Sequence, residues 1–364
     1  MKQKIIVAID SFKGCLTSQE ANEAAAGAVN GAAETGQKGV ASDIEVIQIP
    51  VSDGGEGWID AFRAAVGGET IELMVRDPFR RPVVAHYLVN GEKAVIEMAE
   101  ASGLTLLKPE ERNPMVATSY GTGQLIADAV RRGCRDICVG LGGSATSDCG
   151  IGMLRALIDN FANHGNWDDI SALEQVRFTI ATDVANPLCG PQGAAHVFAP
   201  QKGATPDMVV RLDTRARRFA EVSARHFGHD CQDVPGAGAA GGLGYAFLQY
   251  MNATCRPGID ILLDAVRFDD LLGDASLVIT GEGAADSQTL MGKLPYGILQ
   301  RARRHAVPVC LMAGRISDSR ELLQAGFSQV ACIHPAGLPL SEAMKPETAK
   351  ANIAATVAKM FFCQ

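Results

Sequence analysis

Five short segments of the sequence combine glycines with acidic side chains, and most of them follow an apolar run that is typical of a buried strand. The segments are AIDSFKG (8–14), PVSDGGEG (50–57), GLGGSATSDCG (140–150), ATDVANPLCG (181–190) and ITGEGAADSQTLMGK (279–293). Glycine lets backbone amides approach phosphate oxygens, and a following helix N-terminus adds a positive dipole. Carboxylates repel phosphates unless a hard cation lies between them. The pattern therefore predicts a site for a polyphosphate with Mg²⁺.

The third segment shows the pattern most fully. Two glycines, three small hydroxyl residues, Asp148 and two more glycines follow the apolar run at 136–140, and an apolar pattern of helical spacing begins at Met153. We predict that backbone and hydroxyls at 141–153 hold an anion. A tight strand-to-helix turn without a ligand is the alternative.

The other segments have structural alternatives too. Ser52 or Asp53 could cap the following helix, and Asp183 could cap a turn. Asp10 with Lys13 could be a cap beside a solvated lysine, and Asp286 with Lys293 could belong to a glycine-rich turn. The sequence contains no P-loop G-x-x-x-x-G-K-[ST] motif, which argues against the common nucleotide fingerprint.

The elements that must position these segments alternate between strand and helix. Apolar runs predict strands at 4–9, 44–49, 136–140, 178–181, 277–280, 308–313 and 329–333. Helical spacing predicts helices at 18–33, 55–66, 122–132, 295–305 and 346–361. Thr17 and Glu20 fit a capping box for the first of these helices. The alternation predicts a doubly wound α/β core, and ligands bind at the carboxyl ends of strands in such sheets.

Residues 71–99 follow a different pattern. They contain three short strands, and Asn90-Gly91 is a strong hairpin signal. We therefore expect an inserted second domain at 71–276, with residues 1–70 and 277–364 forming one discontinuous domain. The return point before Leu277 is the less certain boundary.

Composition excludes several classes of function. The chain has 364 residues, of which 47% are hydrophobic and 5% aromatic, and its net charge is −8. Without a basic tract or aromatic platforms, we expect no nucleic-acid partner. No apolar run has membrane-spanning length, and the first residues indicate a strand, so we expect a cytoplasmic protein without membrane contact. The ten cysteines contain no C-x-x-C pair and fit a reducing compartment.

Taken together, these motifs resemble the bacterial two-domain type of the glycerate kinase family. The resemblance runs in order along nearly the whole chain. It is carried by IDSFKGCLTSQEA, IPVSDGGEG, IEMAEASGL, TSYGTGQLI, GLGGSATSDCGIGM, ATDVANPLCGPQGAA, FAPQKGA, DVPGAGAAGGLG, VITGEGAADSQTLMGK and NIAAT. It implies a flavodoxin-like α/β domain formed by both chain ends with a second α/β domain inserted. It also implies ATP-dependent phosphorylation of glycerate, with 2-phosphoglycerate and ADP as products.

Three departures from the family pattern concern the same loops. The family usually has Asn-Asp-Gly-Gly where this chain has 147–150 (SDCG). It usually has Arg-Ile where this chain has Ala284 and Ala285, and AGS where this chain has 313–315 (AGR). Arg315 could replace the missing positive charge beside a phosphate.

The resemblance and the residue types together suggest roles for the loop residues. Asp53 and Asp183 are the candidates for orienting or deprotonating the substrate hydroxyl, and Lys13 is a further catalytic candidate. Candidates for binding substrate or phosphate are Asp10, Ser11, Gly54, Gly55, Gly142, Gly143, Ser144, Asp148, Asn186, Lys202, Gly281 and Lys293. Candidates for holding Mg²⁺ are Glu56, Glu282 and Asp286. The lysines would neutralise phosphate or the glycerate carboxylate.

Several questions stay open at this level. The sequence does not decide which aspartate is the base, or whether the protein is a monomer or a homodimer. A kinase for another small hydroxy acid would keep the same acids. A non-catalytic ligand-binding or sensor protein on the same fold would bind without turnover.

Overall fold

The computed structural model describes residues 3–35 and 43–362. The chain divides into two compact units. The first contains residues up to 52, residues 60–66 and residues from 259 onward, and the second contains residues 53–59 and 67–258.

The described strands and helices alternate along most of the chain. The strands are β1 (Gln3–Ile9), β2 (Ile44–Gln48), β3 (Glu69–Arg76), β4 (Pro82–Asn90), β5 (Lys93–Glu97), β6 (Asp136–Gly140), β7 (Arg177–Ala181), β8 (Thr254–Arg256), β9 (Leu277–Ala285), β10 (Val309–Ile316) and β11 (Gln329–Cys332). The helices are α1 (Ser18–Glu34), α2 (Trp58–Val66), α3 (Ala99–Ser102), α4 (Tyr120–Arg131), α5 (Ile151–Phe161), α6 (Ala194–Phe198), α7 (Pro206–Phe227), α8 (Ala239–Met251), α9 (Gly258–Ala265), α10 (Phe268–Leu272), α11 (Leu294–Arg304), α12 (Ser319–Ala325), α13 (Leu340–Ala343) and α14 (Pro346–Phe362).

The first unit is built on a five-stranded parallel sheet whose order is β2-β1-β9-β10-β11. This is the flavodoxin-like order. The strands are added to one side of β1 and then to the other, so the strand order reverses between β1 and β9. Both ends of the chain contribute, since Ile6 of β1 is the register partner of Val278 of β9. The α/β fold class expected from the alternating pattern is thus confirmed.

Burial on both faces explains why the strands of this sheet are continuous apolar runs. In β1, Ile5, Val7 and Ile9 pack in one core cluster with apolar residues of α1 and α14. Ile6 and Ala8 point to the opposite face and are also fully buried. The Thr17 capping box predicted for α1 is present: Glu20 N donates to Thr17 Oγ1, and Thr17 N donates to Glu20 Oε2.

The second unit has a six-stranded sheet in the order β3-β4-β5-β6-β7-β8. The first three strands are antiparallel, and β5 to β8 are parallel. The predicted hairpin at Asn90-Gly91 joins β4 to β5, with Asn90 paired to Lys93. A core of apolar side chains from β5–β7, α4, α5 and α8 covers one face of this sheet.

The limits of the compact units differ from the predicted domain limits. The sequence placed the return to the first domain at residue 277, whereas the units change between Gly258 and Ile259. Arg301 of α11 explains the difference, because it forms ion pairs with Asp264 of α9 and Asp269 of α10. These contacts attach both helices to the first unit. The predicted domain limits remain a hypothesis about independent folding.

Within the described residues, no helix is both long and apolar enough to cross a membrane.

Candidate functional site

A pocket of about 370 Å³ lies at the carboxyl ends of β6 and β7 in the second unit. Among the predicted site residues, its lining includes Asp53, Gly55, Gly142, Gly143, Ser144, Asp183 and Lys202. The strand-end position agrees with the rule for ligand sites in parallel sheets. The structure therefore brings three of the five predicted loop segments into one pocket.

The loop at 53–57 lies directly against the ends of β6 and β7. The N–H of Gly142 donates to the carbonyl of Gly54 at 3.0 Å. A Cβ atom on Gly142 would lie 2.4 Å from Cα of Gly55, and one on Gly140 would lie 2.5 Å from the carbonyl oxygen of Gly54. Gly54 also has φ +99°, a conformation that favours glycine. These glycines allow two stretches of backbone to touch.

This packing corrects part of the expectation for the loop at 141–153. Its glycines were expected to leave backbone amides for an anion, but the Gly142 amide is already used by Gly54. Gly150 and Gly152 are also closely packed, since added Cβ atoms would lie 2.5 Å from Ala246 Cβ and 2.1 Å from Thr118 Oγ1. Close packing thus accounts for much of the glycine content, and Gly143 and Ser144 remain at the pocket wall.

Asp148 is a brace between two helices, and it is not among the residues that line the pocket. Its Oδ2 accepts from Ser119 N at 2.8 Å, Ser119 Oγ at 2.9 Å and Gly152 N at 3.1 Å, and its Oδ1 accepts from Gly150 N at 3.1 Å. Ser119 precedes α4 and Gly150 precedes α5. The carboxylate therefore satisfies free amides at two helix N-termini, where negative charge is favourable.

The two base candidates, Asp53 and Asp183, both line the pocket. Oδ1 of Asp53 accepts from Gly55 N at 3.1 Å, and Oδ1 of Asp183 accepts from Gly258 N at 3.2 Å. A Cβ on Gly258 would lie 2.0 Å from the carbonyl oxygen of Asp53, so the Gly258 backbone packs against one aspartate and donates to the other. Asp53 is half-buried and Asp183 is exposed. Each carboxylate is held by a backbone amide.

Lys202 is the only basic residue of the pocket lining. It is 2% exposed, and its ammonium donates to Ser144 Oγ and to the carbonyl of Thr146, both at 2.7 Å. Burial lowers the pKa of Lys202 to about 7, and the more distant Asp148 carboxylate acts in the opposite direction. A left-handed Gly203 follows it, and a Cβ there would lie 2.6 Å from the Arg112 carbonyl.

Glu97, at the end of β5, belongs to the motif IEMAEASGL but received no role from the sequence. Its carboxyl is 7% exposed and accepts from Trp58 N at 3.1 Å, at the start of α2. Burial, followed by the nearby Glu100 carboxylate, raises the pKa of Glu97 to about 8. The side chain therefore holds the 53–57 loop in place through the helix that follows it.

In the first unit, Asp10 and Ser11 follow β1 and lie beside β9. The Asp10 amide donates to the carbonyl of Gly281 at 2.9 Å, and Ser11 N donates to Asp10 Oδ1 at 2.7 Å. Buried Asn22 of α1 fixes this strand end, because its side chain pairs with both the N–H and the carbonyl of Ile9. Asn22 is a polar residue on the apolar face of an Ala-rich helix, and this interruption is the sequence signal for its structural role.

The predicted metal candidates Glu282 and Asp286 are joined through Thr289. The Thr289 hydroxyl donates to Glu282 Oε1 at 2.6 Å and accepts from the Asp286 amide at 3.1 Å. Asp286 also caps the short 3₁₀ turn that follows, since its Oδ1 accepts from Gln288 N at 2.9 Å. The capping alternative for Asp286 is thus present, and its charge is half-exposed.

The remaining candidates lie outside the pocket lining. Lys13 is exposed, and Lys293 is half-buried at the N-cap of α11. Glu56 is exposed, and Asn186 donates from Nδ2 to the carbonyl of Gln192 at 2.8 Å. Their predicted roles remain hypotheses.

The carboxylates of Glu282 and Asp286 fit a Mg²⁺ ion that is bound together with phosphates. In the described part of the chain, no three His, Cys, Asp or Glu residues group together as a metal cage. Mg²⁺ bound with phosphates commonly uses only one or two carboxylates and keeps several waters. Glu282 and Asp286 carry carboxylates of that kind on one loop, where Thr289 links the Glu282 carboxylate to the backbone amide of Asp286.

Two of the departures from the family pattern have a structural context. Arg315 of β10 is the register partner of Ala284 of β9, so a positive side chain stands beside the position where the family usually has arginine. Cys149 replaces a glycine of the family pattern and has φ +56°, the left-handed region, which costs a side-chain-bearing residue about 1 kcal/mol. Its amide donates to the carbonyl of Gly241 at 3.0 Å.

Comparison with known proteins gives one consistent result. The model of the glycerate kinase family matches residues 5–363. The glycerate kinase of Bacillus subtilis (strain 168) is 42% identical over 363 residues, covering 94% of this chain and 93% of that protein. The glycerate 2-kinase of Escherichia coli (strain K12) is 38% identical over 381 residues, covering 98% of each.

A solved structure agrees with these sequence matches. The crystal structure of a candidate glycerate kinase 2 from Salmonella typhimurium LT2 has a TM-score of 0.82 and 36% identity to this chain. The match covers 100% of this chain and 98% of that one.

Proposed function

Because the chain belongs to the glycerate kinase family, we propose that it transfers the γ-phosphate of ATP to the 2-hydroxyl of glycerate. The chain is accordingly a phosphotransferase. The observation that supports the proposal most strongly is the pocket at the ends of β6 and β7. It contains two aspartates and a buried lysine, which suit a small hydroxy acid.

The proposed chemistry depends on position and charge more than on covalent participation of the protein. Asp53 or Asp183 orients the attacking hydroxyl and accepts its proton, and both are anchored by backbone amides. The carboxylate that does not act as base fixes another hydroxyl of the substrate. Acting as base and fixing a hydroxyl both need the ionised carboxylate, because it accepts hydrogen bonds from the substrate hydroxyls.

The phosphates of ATP need positive charge and a metal. When bound, Mg²⁺ neutralises phosphate oxygens, and Glu56, Glu282 and Asp286 are the candidates to hold it. Lys13 and Lys293 would neutralise phosphate oxygens in the same way, and the Ser11 hydroxyl would donate a hydrogen bond to one of them. Thr289 holds the Glu282 carboxylate beside the backbone of Asp286, and the Asp286 carboxylate is held by the Gln288 amide.

A coupled ADP-release assay tests the proposal. Purified protein is mixed with ATP, Mg²⁺ and one of a panel of hydroxy acids that includes glycerate, lactate, glycolate and tartrate. We expect ADP formation that requires both Mg²⁺ and glycerate. ADP formation with another acid alone would identify a different substrate. No ADP above background from folded protein, with any acid, would contradict a kinase and favour the sensor alternative.

A further inference from the structure

Lys202 is a buried cation to which no carboxylate of the described residues is paired. Its two hydrogen-bond acceptors, Ser144 Oγ and the Thr146 carbonyl, are both neutral. The Asp148 carboxylate acts on it only at longer range, and four other donors already occupy that carboxylate. A buried charge without a partner is costly, so such a charge in a pocket wall calls for an anionic ligand.

We infer that Lys202 binds the carboxylate of the acceptor substrate and so makes the enzyme specific for hydroxy acids over neutral polyols. This inference rests on the proposed function, because it assigns one end of the proposed substrate to one residue. Ser144 is then a positioning residue that holds the ammonium at the pocket wall.

The charge of the pocket favours a carboxylate over a polyphosphate. Asp53 and Asp183 are the acidic residues of the lining, and Lys202 is its one basic residue. A triphosphate would place several negative charges beside two aspartates and a single lysine. A monocarboxylate needs one cation, and its hydroxyl groups suit the two aspartates as acceptors.

The pocket size agrees with this assignment. A volume of about 370 Å³ lies near the lower end of the range that ligand pockets span. Burial lowers the pKa of Lys202, and a carboxylate bound beside the amino group would raise it again.

The test compares a charged ligand with a neutral one of nearly the same shape. Glycerate and its neutral amide, glyceramide, are titrated calorimetrically into wild type, Lys202→Met and Lys202→Gln. Both substitutions remove the charge while keeping most of the side-chain length. Lys345→Met is the matched control, since Lys345 is an exposed lysine paired with Glu342.

We expect wild type and Lys345→Met to prefer glycerate to glyceramide by about 10²-fold or more, the scale of a desolvated charge-assisted interaction. In Lys202→Met and Lys202→Gln this ratio should fall to near one, while the affinity for Mg-ADP stays within about threefold. Neither variant should melt at a lower temperature without ligand than wild type, because an unpaired buried charge has been removed.

An unchanged glycerate-to-glyceramide ratio in the Lys202 variants would overturn the inference, and so would a large loss of Mg-ADP affinity alone. If wild type binds glycerate with the expected ratio but forms no ADP, the proposed kinase activity fails while the Lys202 assignment stands. If wild type binds no glycerate and turns none over, both fail. If Lys202→Met does not fold, the decision falls to Lys202→Gln.

Discussion

The acid-bearing loops of the two units share glycines and acidic residues but have different surroundings. In the second unit, the carboxylates of Asp53 and Asp183 line a pocket with buried Lys202. In the first unit, Glu282 and Asp286 are tied to each other and to their own turn by Thr289, and Lys13 is exposed. The first arrangement suits a small anionic ligand with hydroxyl groups. The second suits a hard cation or a flexible phosphate chain at a protein surface.

The glycines of these loops have two kinds of surroundings, and both kinds occur in both units. A Cβ on Gly142 of the second unit would lie 2.4 Å from Gly55 Cα, and one on Gly281 of the first unit would lie 2.6 Å from the Met312 carbonyl oxygen. Gly57 of the second unit and Gly283 of the first have no atom within 4 Å of the place where a Cβ would be. A glycine-rich loop after a strand can therefore indicate either close packing or open space. Only the contacts distinguish the two.

The largest expected effect concerns the pocket aspartates. Asp183→Asn and Asp53→Asn should each keep the oxygen that accepts a backbone amide but lose the charge. The variant of the residue that acts as base should lower kcat by about 10³-fold or more, since general bases contribute about 10²–10⁴-fold. Steady-state kinetics with glycerate and ATP measure this. Two variants with nearly normal kcat would show that the pocket is not the place of chemistry.

The next largest effect concerns the loop of the first unit. Asp286→Asn should keep the cap on the 3₁₀ turn but lower kcat by about 10²-fold, or roughly 3 kcal/mol on the barrier, if Asp286 holds Mg²⁺. Lys293→Ala should mainly raise the KM for ATP. Kinetics over a range of ATP and Mg²⁺ concentrations measure both. Normal kinetics for both at an unchanged melting temperature would make this loop structural and leave Glu56 as the metal candidate.

The glycine comparison predicts unequal effects of the same substitution. Gly142→Ala should lower the free energy of unfolding by about 2 kcal/mol, because the new Cβ would lie 2.4 Å from Gly55 Cα. Gly283→Ala is its matched control and should change the free energy by less than about 0.5 kcal/mol. Urea denaturation of the two variants measures the difference. Equal effects would mean that the close backbone contact is not a constraint.

The smallest expected effect, taken per pH unit, is a change in the pH dependence of stability. The pKa of Glu97 is raised in the folded protein to about 8, so between its ordinary value and 8 the folded state holds a proton that the unfolded state has lost. Glu97 therefore makes stability decrease as pH rises from about 5 to 8. Glu97→Gln should remove that contribution, which is about 1 kcal/mol for each pH unit in this range.

Melting temperatures of wild type and Glu97→Gln at several pH values between 5 and 8 measure this contribution as a difference. The other titrating groups contribute equally to both proteins and cancel. Parallel curves for the two proteins would contradict the raised pKa of Glu97.

Local signals predicted much of the fold correctly. The predicted strand at 136–140 coincides with β6, and the hairpin at Asn90-Gly91 and the Thr17 cap are present. These features depend on residues within one element or one turn. The register partnership of Ile6 with Val278 required the wider pattern of alternating strands and helices together with the family resemblance.

The contacts of the site were less accessible to sequence reasoning. Asp148, predicted to bind substrate or phosphate, also braces two helix N-termini, because Ser119 and Gly152 approach it from different segments. Glu97 and Asn22 position the loops but were assigned no role. Each is a buried polar residue within an apolar pattern, and what such a residue binds depends on partners distant in sequence.

The central claim is that the protein phosphorylates glycerate, and identification of the product by ³¹P NMR tests it most directly. ATP, Mg²⁺ and glycerate are incubated with wild type and, in parallel, with Asp183→Asn and Asp53→Asn. We predict that wild type forms 2-phosphoglycerate in an amount equal to the ADP produced, and that at least one aspartate variant forms almost none. ADP without any phosphoglycerate, or no consumption of ATP by folded wild-type protein, would contradict the account.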